Sequence, residues 1–183
     1  MKRTNIYFDT EFTGLHQKTT LLSIGLINEY GDTFYAEFND ADYTQVDKWL
    51  SDNVIANLKY NEHDTFFDDS DPGVIQIKDS ASVIKLALTD WLGRFDEVEM
   101  WSDCLCYDWV LFNNIFGTAF DIPKNVYYIP FDLSSAFRMK GIDPDISREE
   151  YAGDFETIVP YEKHNALWDA VVIKACCDKL MKS

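Results

Sequence analysis

Three strand-like runs in the first 38 residues constrain the fold of this chain most strongly. The runs cover residues 5–11, 21–29 and 33–38, and Tyr30-Gly31-Asp32 is a turn signal between the second and the third. Apolar, β-branched and aromatic residues dominate all three runs, as is typical of strands with at least one buried face. The sequence therefore predicts an antiparallel meander of three strands at the start of the chain.

Helical and strand-like segments alternate after this meander. Helical periodicity covers residues 46–58, 80–92, 107–116, 133–139 and 165–181, strand-like runs cover 97–102 and 126–131, and loop-like composition covers 59–79 and 141–160. Strands followed by alternating helices and strands are typical of a mixed sheet with helices packed on it. We expect an α/β fold with a mixed five-stranded sheet, in a single domain over residues 1–183.

The charge of the chain limits its partners. Thirty-two acidic residues against 16 basic ones give a net charge of −16, which opposes long-range capture of nucleic acid. Such a charge suits a metal-loaded site, a cationic partner or solubility alone. The longest apolar runs are far shorter than the ~20 residues that cross a bilayer. The N-terminus leads into the first strand without a signal-peptide segment, so we expect a cytoplasmic protein without membrane contact.

Two acidic side chains stand close together at the end of the first strand. Asp9 and Glu11 are two residues apart, and the two-residue period of a strand points both side chains to the same face. Neighbouring like charges repel each other unless a cation lies between them. A strand end that reaches solvent is an equally good interpretation of this pair alone.

Two more aspartates fall on apolar helix faces. Asp108 lies on the stripe formed by Leu111 and Ile115, and Asp169 lies on the stripe of the last helix. Each is also near a helix N-terminus, where an acid is favourable by ~0.3–1 kcal/mol. An unpaired buried carboxylate costs several kcal/mol, however. Shared divalent cations are one economical solution, and oxygen ligands favour Mg²⁺ or Mn²⁺ over zinc.

One histidine belongs with these acids. His164 precedes Asp169 by five residues, and the two side chains converge only if His164 lies in the loop before the helix, with Asn165 as the N-cap. A histidine beside a metal site suits a general base near pH 7. A lone histidine is more often a surface or core residue.

Three segments together resemble one enzyme superfamily. Asp9-Thr10-Glu11-Phe12-Thr13-Gly14-Leu15 is similar to the first motif of the DEDD 3′–5′ exonucleases, and Tyr107-Asp108 is similar to the second. The segment His164-Asn165-Ala166-Leu167-Trp168-Asp169 resembles H-x-A-x-x-D, the third motif of the DEDDh branch. The chain looks closest to the small stand-alone exoribonucleases of bacteria and phages. The resemblance implies a ribonuclease H-like fold.

The resemblance also implies a mechanism. The four acids Asp9, Glu11, Asp108 and Asp169 would hold two Mg²⁺ or Mn²⁺ ions, and His164 would deprotonate the attacking water. The products would be nucleoside 5′-monophosphates from a 3′ end. Candidate substrate-binding residues lie in or beside the motifs: Phe12, Thr13, Gly14, Leu15, Tyr107 and Lys163. For Leu15, core packing is an equally good interpretation, and Lys163, like Arg138 and Lys140, is either a phosphate contact or a solvated base.

Several functions stay open at this point. The negative charge favours a short single-stranded end over a long duplex, and similarity to the exoribonucleases favours RNA. A DNA-directed exonuclease of the proofreading type keeps the same chemistry. A non-catalytic acidic module that mimics nucleic acid or binds a partner explains the charge directly. Relatives in this superfamily are often homodimers, so a homodimer is possible here.

Overall fold

A seven-stranded mixed sheet with six α-helices forms the structure, a computed structural model that describes residues 2–62, 64–155 and 163–182. The strands are β1 Arg3–Phe12, β2 Leu21–Asn28, β3 Thr33–Phe38, β4 Phe66–Asp71, β5 Val74–Asp79, β6 Glu97–Ser102 and β7 Phe131–Asp132. The helices are α1 Lys48–Asn53, α2 Ala81–Leu92, α3 Cys106–Phe116, α4 Leu133–Met139, α5 Arg148–Ala152 and α6 Ala166–Lys182. Single turns of 3₁₀-helix cover Tyr43–Gln45 and Ile55–Asn57. Within the described ranges, no helix combines the length and the apolar character needed to cross a bilayer.

The strand order confirms the predicted meander and the α/β class. The order across the sheet is β4-β5-β3-β2-β1-β6-β7. Strand β2 pairs antiparallel with both β1 and β3, whereas β6 runs parallel to β1 and β7 runs parallel to β6. At the other side, β5 pairs parallel with β3 and antiparallel with β4. The sheet is therefore mixed, with its parallel pairs flanking the antiparallel centre.

The predicted count of five strands is wrong. The two extra strands, β4 and β5, form a hairpin inside residues 59–79, which the sequence analysis assigned to a loop. Strand β4 was not predicted because Asp68, Asp69 and Asp71 give it the composition of a loop. Strand β4 lies at the edge of the sheet and is mostly exposed, and charged side chains are tolerated at an edge because they oppose further pairing.

Several short elements differ from the sequence prediction, because the stability of a short element depends on its packing against neighbouring segments. The run 126–131 contributes only Val126, in a bridge with Val98, and Phe131, the first of the two residues of β7. The predicted helix over 46–58 is broken into α1 and a 3₁₀ turn. The predicted loop over 141–160 contains α5, and residues 156–160 of that loop lie outside the described residues. The remaining predicted helices and strands agree with the structure within two residues.

The two faces of β1 belong to two separate cores. Ile6 and Phe8 pack in a large cluster with side chains of α2 and α3, whereas Tyr7 packs in a second cluster with α4 and α6. Asp9 and Glu11 continue the Tyr7 side of the strand, because side chains alternate along it. The fold therefore carries both carboxylates on the α6 face, directly after the apolar residues Ile6–Phe8 of the strand.

The start of α6 lies directly on the backbone of β2. A Cβ atom built on Gly25 would lie 2.3 Å from the Leu167 backbone nitrogen and 2.4 Å from the Ala166 carbonyl carbon. Gly25 is the partner of Asp9 on β1 and of Tyr35 on β3. The missing side chain of Gly25 thus lets the first residues of α6 lie against the β2 backbone.

Candidate active site

Five residues that the sequence analysis selected line one pocket of about 540 Å³. Asp9 and Glu11 come from β1, Asp108 from the first turn of α3, His164 from the residues before α6, and Asp169 from the first turn of α6. Four separate segments of the chain thus bring four carboxylates and one imidazole to the same place. No basic side chain pairs with any of the four carboxylates among the ion pairs of the described residues.

Asp108 is buried and is held by two hydroxyl groups. The Ser102 hydroxyl donates to Oδ2 at 3.0 Å, and the Thr10 hydroxyl makes a short hydrogen bond to Oδ1. Burial raises the pKa of Asp108 to about 6, and the two hydrogen bonds oppose this shift because they stabilise the carboxylate. The sequence prediction that Asp108 lies on a buried face is confirmed.

The other three carboxylates are also harder to ionise than usual. Burial raises the pKa of Asp9 well above its ordinary value, and the charges of Asp108 and Asp169 add to the effect. Burial, followed by the charges of Asp169 and Asp108, raises the pKa of Glu11 to about 8. Burial raises the pKa of Asp169 to about 7, against a hydrogen bond from the His164 backbone. Like charges concentrated away from water have this effect unless a cation compensates for them.

His164 lies in the loop before α6, as predicted. Its backbone is in the left-handed region, with φ of +64°, and its N–H donates to Oδ2 of Asp169 at 2.9 Å. Asn165 caps α6, since its Oδ1 accepts from the N–H groups of Leu167 and Trp168 at 3.1 and 3.3 Å. Burial lowers the pKa of His164, and the positive charge of Lys163 lowers it further.

Part of this site has the geometry of a cation site. Side-chain ligand atoms of Glu11, His164 and Asp169 all lie within 4.8 Å of one another. Asp9 and Asp108 add carboxylate oxygens to the same pocket. A donor set dominated by carboxylate oxygens fits a hard cation such as Mg²⁺ or Mn²⁺, and such a cation would relieve the repulsion that raises the carboxyl pKa values. The residues present therefore fit the predicted metal.

An aromatic pair and an exposed leucine border the carboxylates. The rings of Phe12 and Tyr107 stack with centroids 5.4 Å apart and an interplanar angle of 16°. Leu15 is 78% exposed, so its interpretation as a core residue is wrong. All three line the pocket. They offer a flat apolar surface beside the carboxylates, of the kind on which nucleic-acid bases stack.

Two predicted substrate residues lie farther from the carboxylates. Thr13 and Gly14 line a neighbouring cavity of about 490 Å³ and are absent from the lining of the main pocket. Thr13 is buried, and its hydroxyl donates to Gln45 at 2.8 Å and accepts from the Thr20 N–H at 2.9 Å. Thr13 therefore stabilises the loop after β1, and its hydroxyl is already engaged within the protein.

The predicted phosphate contacts separate into two groups. Lys163 lies at the rim of the pocket, with Nζ 3.3 Å from Oε1 of Glu149. Arg138 and Lys140 are exposed and do not line the pocket. Of the three, Lys163 alone is placed to meet a substrate that enters the pocket.

The sequence analysis missed a basic residue in the pocket wall. Arg148 of α5 binds Asp103 through Nε at 2.5 Å and through Nη2 at 2.8 Å, and Nη2 also donates to Ser134 at 2.8 Å. Arg148 and Asp103 both line the pocket. They are 45 residues apart, and no local pattern in the sequence relates them.

The sequence analysis also left Trp49 without a function. This side chain of α1 is 55% exposed and meets the His164 ring edge to face, with centroids 5.4 Å apart. It lines the neighbouring cavity together with Phe12, Leu15 and His16. No local pattern in the sequence relates Trp49 to His164, because the two residues are far apart along the chain.

Comparison with known proteins shows which family the chain resembles. A family model described as the 3′–5′ exoribonuclease Rv2179c-like domain matches residues 4–181. The chain is also similar to two Mycobacterium tuberculosis proteins, the 3′–5′ exoribonuclease Rv2179c of strain H37Rv and the 3′–5′ exoribonuclease MT2234.1 of strain CDC 1551. Each is 25% identical over 166 residues, which make up 90% of this chain and 85% of the relative.

Proposed function

Because the chain belongs to the family of Rv2179c-like 3′–5′ exoribonuclease domains, we propose that it hydrolyses single-stranded RNA from the 3′ end and releases nucleoside 5′-monophosphates. The convergence of four carboxylates and His164 in one pocket carries this proposal. We also propose that β3-β2-β1-β6-β7 is the five-stranded core of a ribonuclease H-like fold, with the β4–β5 hairpin added at one edge. A cytoplasmic location and a homodimer stay predictions.

The four carboxylates would hold the metal ions. Asp9, Glu11, Asp108 and Asp169 would bind two Mg²⁺ or Mn²⁺ ions in the pocket. Such ions supply a nucleophilic hydroxide and stabilise the leaving oxygen when they are bound. The hydroxyl groups of Thr10 and Ser102 fix the carboxylate of Asp108 in one orientation. That arrangement supports precise ligand placement, on which metal affinity and rate depend.

His164 would act as the general base. Its imidazole borders the carboxylates and contacts Trp49, and its lowered pKa favours the neutral form that accepts a proton. Its backbone N–H is bonded to Asp169, so the base is joined directly to a metal-binding carboxylate. The imidazole would take a proton from the attacking water.

The apolar wall would hold the bases of the last nucleotides. Phe12, Tyr107 and Leu15 lie beside the carboxylates, and Trp49 extends this surface into the second cavity. Stacking tolerates every base, which suits an exonuclease that must accept any 3′ end. The rim residue Lys163 would meet the backbone phosphates. With a net charge of −16, the protein offers little long-range attraction to a duplex.

The proposed activity is tested with a 5′-labelled single-stranded RNA and its DNA counterpart, in Mg²⁺, Mn²⁺ or EDTA. We expect RNA to shorten from the 3′ end in either metal, faster than DNA, and to stay intact in EDTA. His164→Ala should lower the rate by about 10²–10⁴-fold, because it removes the general base. Asp90→Asn, which removes an exposed acid on α2, is the control and should behave as wild type.

Three outcomes distinguish the functions that the sequence left open. Intact oligonucleotides under all conditions would contradict the proposed enzymatic activity and would favour the acidic binding module. Faster cleavage of DNA than of RNA would favour the proofreading type. Shortening that continues in EDTA would contradict the metal-dependent mechanism.

The role of Trp49 gives a second prediction. Trp49→Ala is expected to raise KM for RNA about 10-fold and to change kcat less, because base stacking on an aromatic side chain is worth ~1–3 kcal/mol. Trp49→Phe should restore most of the binding. Tyr128→Ala is the matched control, since Tyr128 is 69% exposed and does not line either cavity. Equal KM values for Trp49→Ala and wild type would exclude Trp49 from substrate binding.

A further inference from the structure

We propose that Asn57 and Asn165 form a clamp that holds the residues on both sides of His164, Lys163 through its carbonyl and Asn165 through its side-chain amide, and that both asparagines are positioning residues for the proposed hydrolysis. We call these two side chains the His164 clamp. The inference rests on the proposed function, because it assumes that His164 is the general base. Neither asparagine lines the pocket, so each would act through His164 and would not touch the substrate.

His164 adopts a backbone conformation that needs support. A φ of +64° lies in the left-handed region, which only a few per cent of non-glycine residues occupy, with asparagine, aspartate and histidine there more often than the others. Such conformations persist where the surrounding structure fixes them, and they cluster at functional sites. The N–H bond from His164 to Asp169 is one such contact. It fixes the N–H side of the peptide group before His164, and the carbonyl side of that group, which belongs to Lys163, needs a second partner.

Asn57 supplies contacts on both sides. Its side-chain Nδ2 donates to the Asn53 carbonyl at 2.7 Å and to the Lys163 carbonyl at 2.9 Å, and its own carbonyl accepts from Nδ2 of Asn165 at 3.1 Å. One residue of the 3₁₀ turn Ile55–Asn57 thus binds both the residue before His164 and the residue after it. Trp49, in the helix just before this turn, contacts the imidazole itself.

Asn165 joins the clamp to the sheet. It is fully buried, and its Nδ2 also donates to the Tyr35 hydroxyl at 3.1 Å. Tyr35 in turn donates to Glu37 at 2.7 Å, and buried Glu37 pairs with Lys78 at 3.4 Å. The amide of Asn165 therefore performs two tasks, since Oδ1 caps α6 and Nδ2 ties the His164 loop to β3 and to Asn57.

These two tasks can be separated by substitution. Asn165→Ser keeps a good helix cap but loses the amide that reaches Tyr35 and Asn57. Asn57→Ala removes the donor to the Lys163 carbonyl and leaves the Asn57 carbonyl in place. General-base catalysis requires the imidazole within hydrogen-bond reach of its water, and small misplacements lower rates by orders of magnitude. We expect each variant to lower kcat about 10-fold or more and to leave KM nearly unchanged.

A double-mutant cycle shows whether the two asparagines act through His164. Each substitution is measured in the wild-type chain and in the His164→Ala chain, on the same labelled RNA. The clamp predicts that Asn57→Ala and Asn165→Ser lose their effect once the imidazole is absent. A loss of the same size in both chains would overturn the inference, because a general loss of structure does not depend on His164. The matched control is Asn53→Ala, in the same segment, whose amide donates only to the Trp49 carbonyl and which should retain wild-type kcat.

A measurement without substrate separates this inference from the proposed function. The ring protons of His164, assigned in NMR spectra by comparison with His164→Ala, should carry a ring-current shift from Trp49. Both clamp variants should move these resonances toward exposed-histidine positions, while Asn53→Ala leaves them in place. Unchanged His164 resonances in both variants would overturn the clamp even in an active enzyme. An inactive wild type with the expected spectra would contradict the proposed function and leave the clamp as a structural element.

Discussion

Asp9→Asn is expected to abolish exonuclease activity and, at the same time, to make the metal-free protein more stable to heat. The substitution removes a proposed metal ligand, so we expect the rate in Mg²⁺ or Mn²⁺ to fall by about 10³-fold or more, as for the loss of a group essential to charge stabilisation. It also removes one of four carboxylates that are crowded into one pocket and that form no ion pair with a basic side chain among the described residues. A gain of about 1–2 kcal/mol corresponds to a rise in Tm of about 3–6 °C for a chain of this size.

The same crowding fixes how the stability of the metal-free wild type depends on pH. The folded-state pKa values of Glu11, Asp169 and Asp108 are about 8, 7 and 6, all above the values of unfolded carboxyl groups. The folded chain therefore binds more protons than the unfolded chain between about pH 4 and pH 8, and the free energy of unfolding decreases as the pH rises through that window. In EDTA we expect Tm to be higher at pH 6 than at pH 8.

Added metal should change this dependence. A cation in the pocket favours the ionised carboxylates, so Mn²⁺ should raise Tm most at pH 8 and reduce the difference between pH 6 and pH 8. Thermal unfolding with EDTA and with Mn²⁺ at several pH values measures both effects. The control Asp90→Asn makes the same change of net charge outside the site and should shift Tm little. An Asp9→Asn protein that is less stable than wild type in EDTA would contradict the repulsion on which this prediction depends.

Local sequence patterns predicted the elements that carry the site. The alternation in β1 fixed the common face of Asp9 and Glu11, and the helical stripes placed Asp108 and Asp169 toward the interior. The five-residue interval placed His164 before α6. Each of these features depends only on the 2.0 or 3.6 period of one element. For this reason they could be derived without knowledge of the sheet order.

Features that depend on pairing between distant segments were not predictable in this way. The β4–β5 hairpin has an acidic composition that resembles a loop, and it is ordered as strands by pairing with β3. The ion pair of Arg148 with Asp103 joins α5 to the end of β6, and the clamp joins Asn57 to Asn165 across 108 residues. Tertiary packing determines such contacts. The hydrophobic periodicity of a single helix or strand gives no information about that packing.

The contact of α6 with Gly25 of β2 is a tertiary contact on which the positions of two proposed catalytic residues depend. Gly25→Val is expected to lower kcat/KM by about 100-fold or more, since its Cβ would lie 2.3 Å from the Leu167 backbone and α6 must move away from the sheet. That movement displaces His164 and Asp169 together relative to Asp9, the cross-strand partner of Gly25. Gly73→Val is the control, because its nearest contact is the adjustable carboxylate of Asp32 at the hairpin turn. Circular dichroism identifies the folded fraction on which the rates are compared, and a folded Gly25→Val protein with wild-type kcat/KM would show that the contact of α6 with β2 does not position the site.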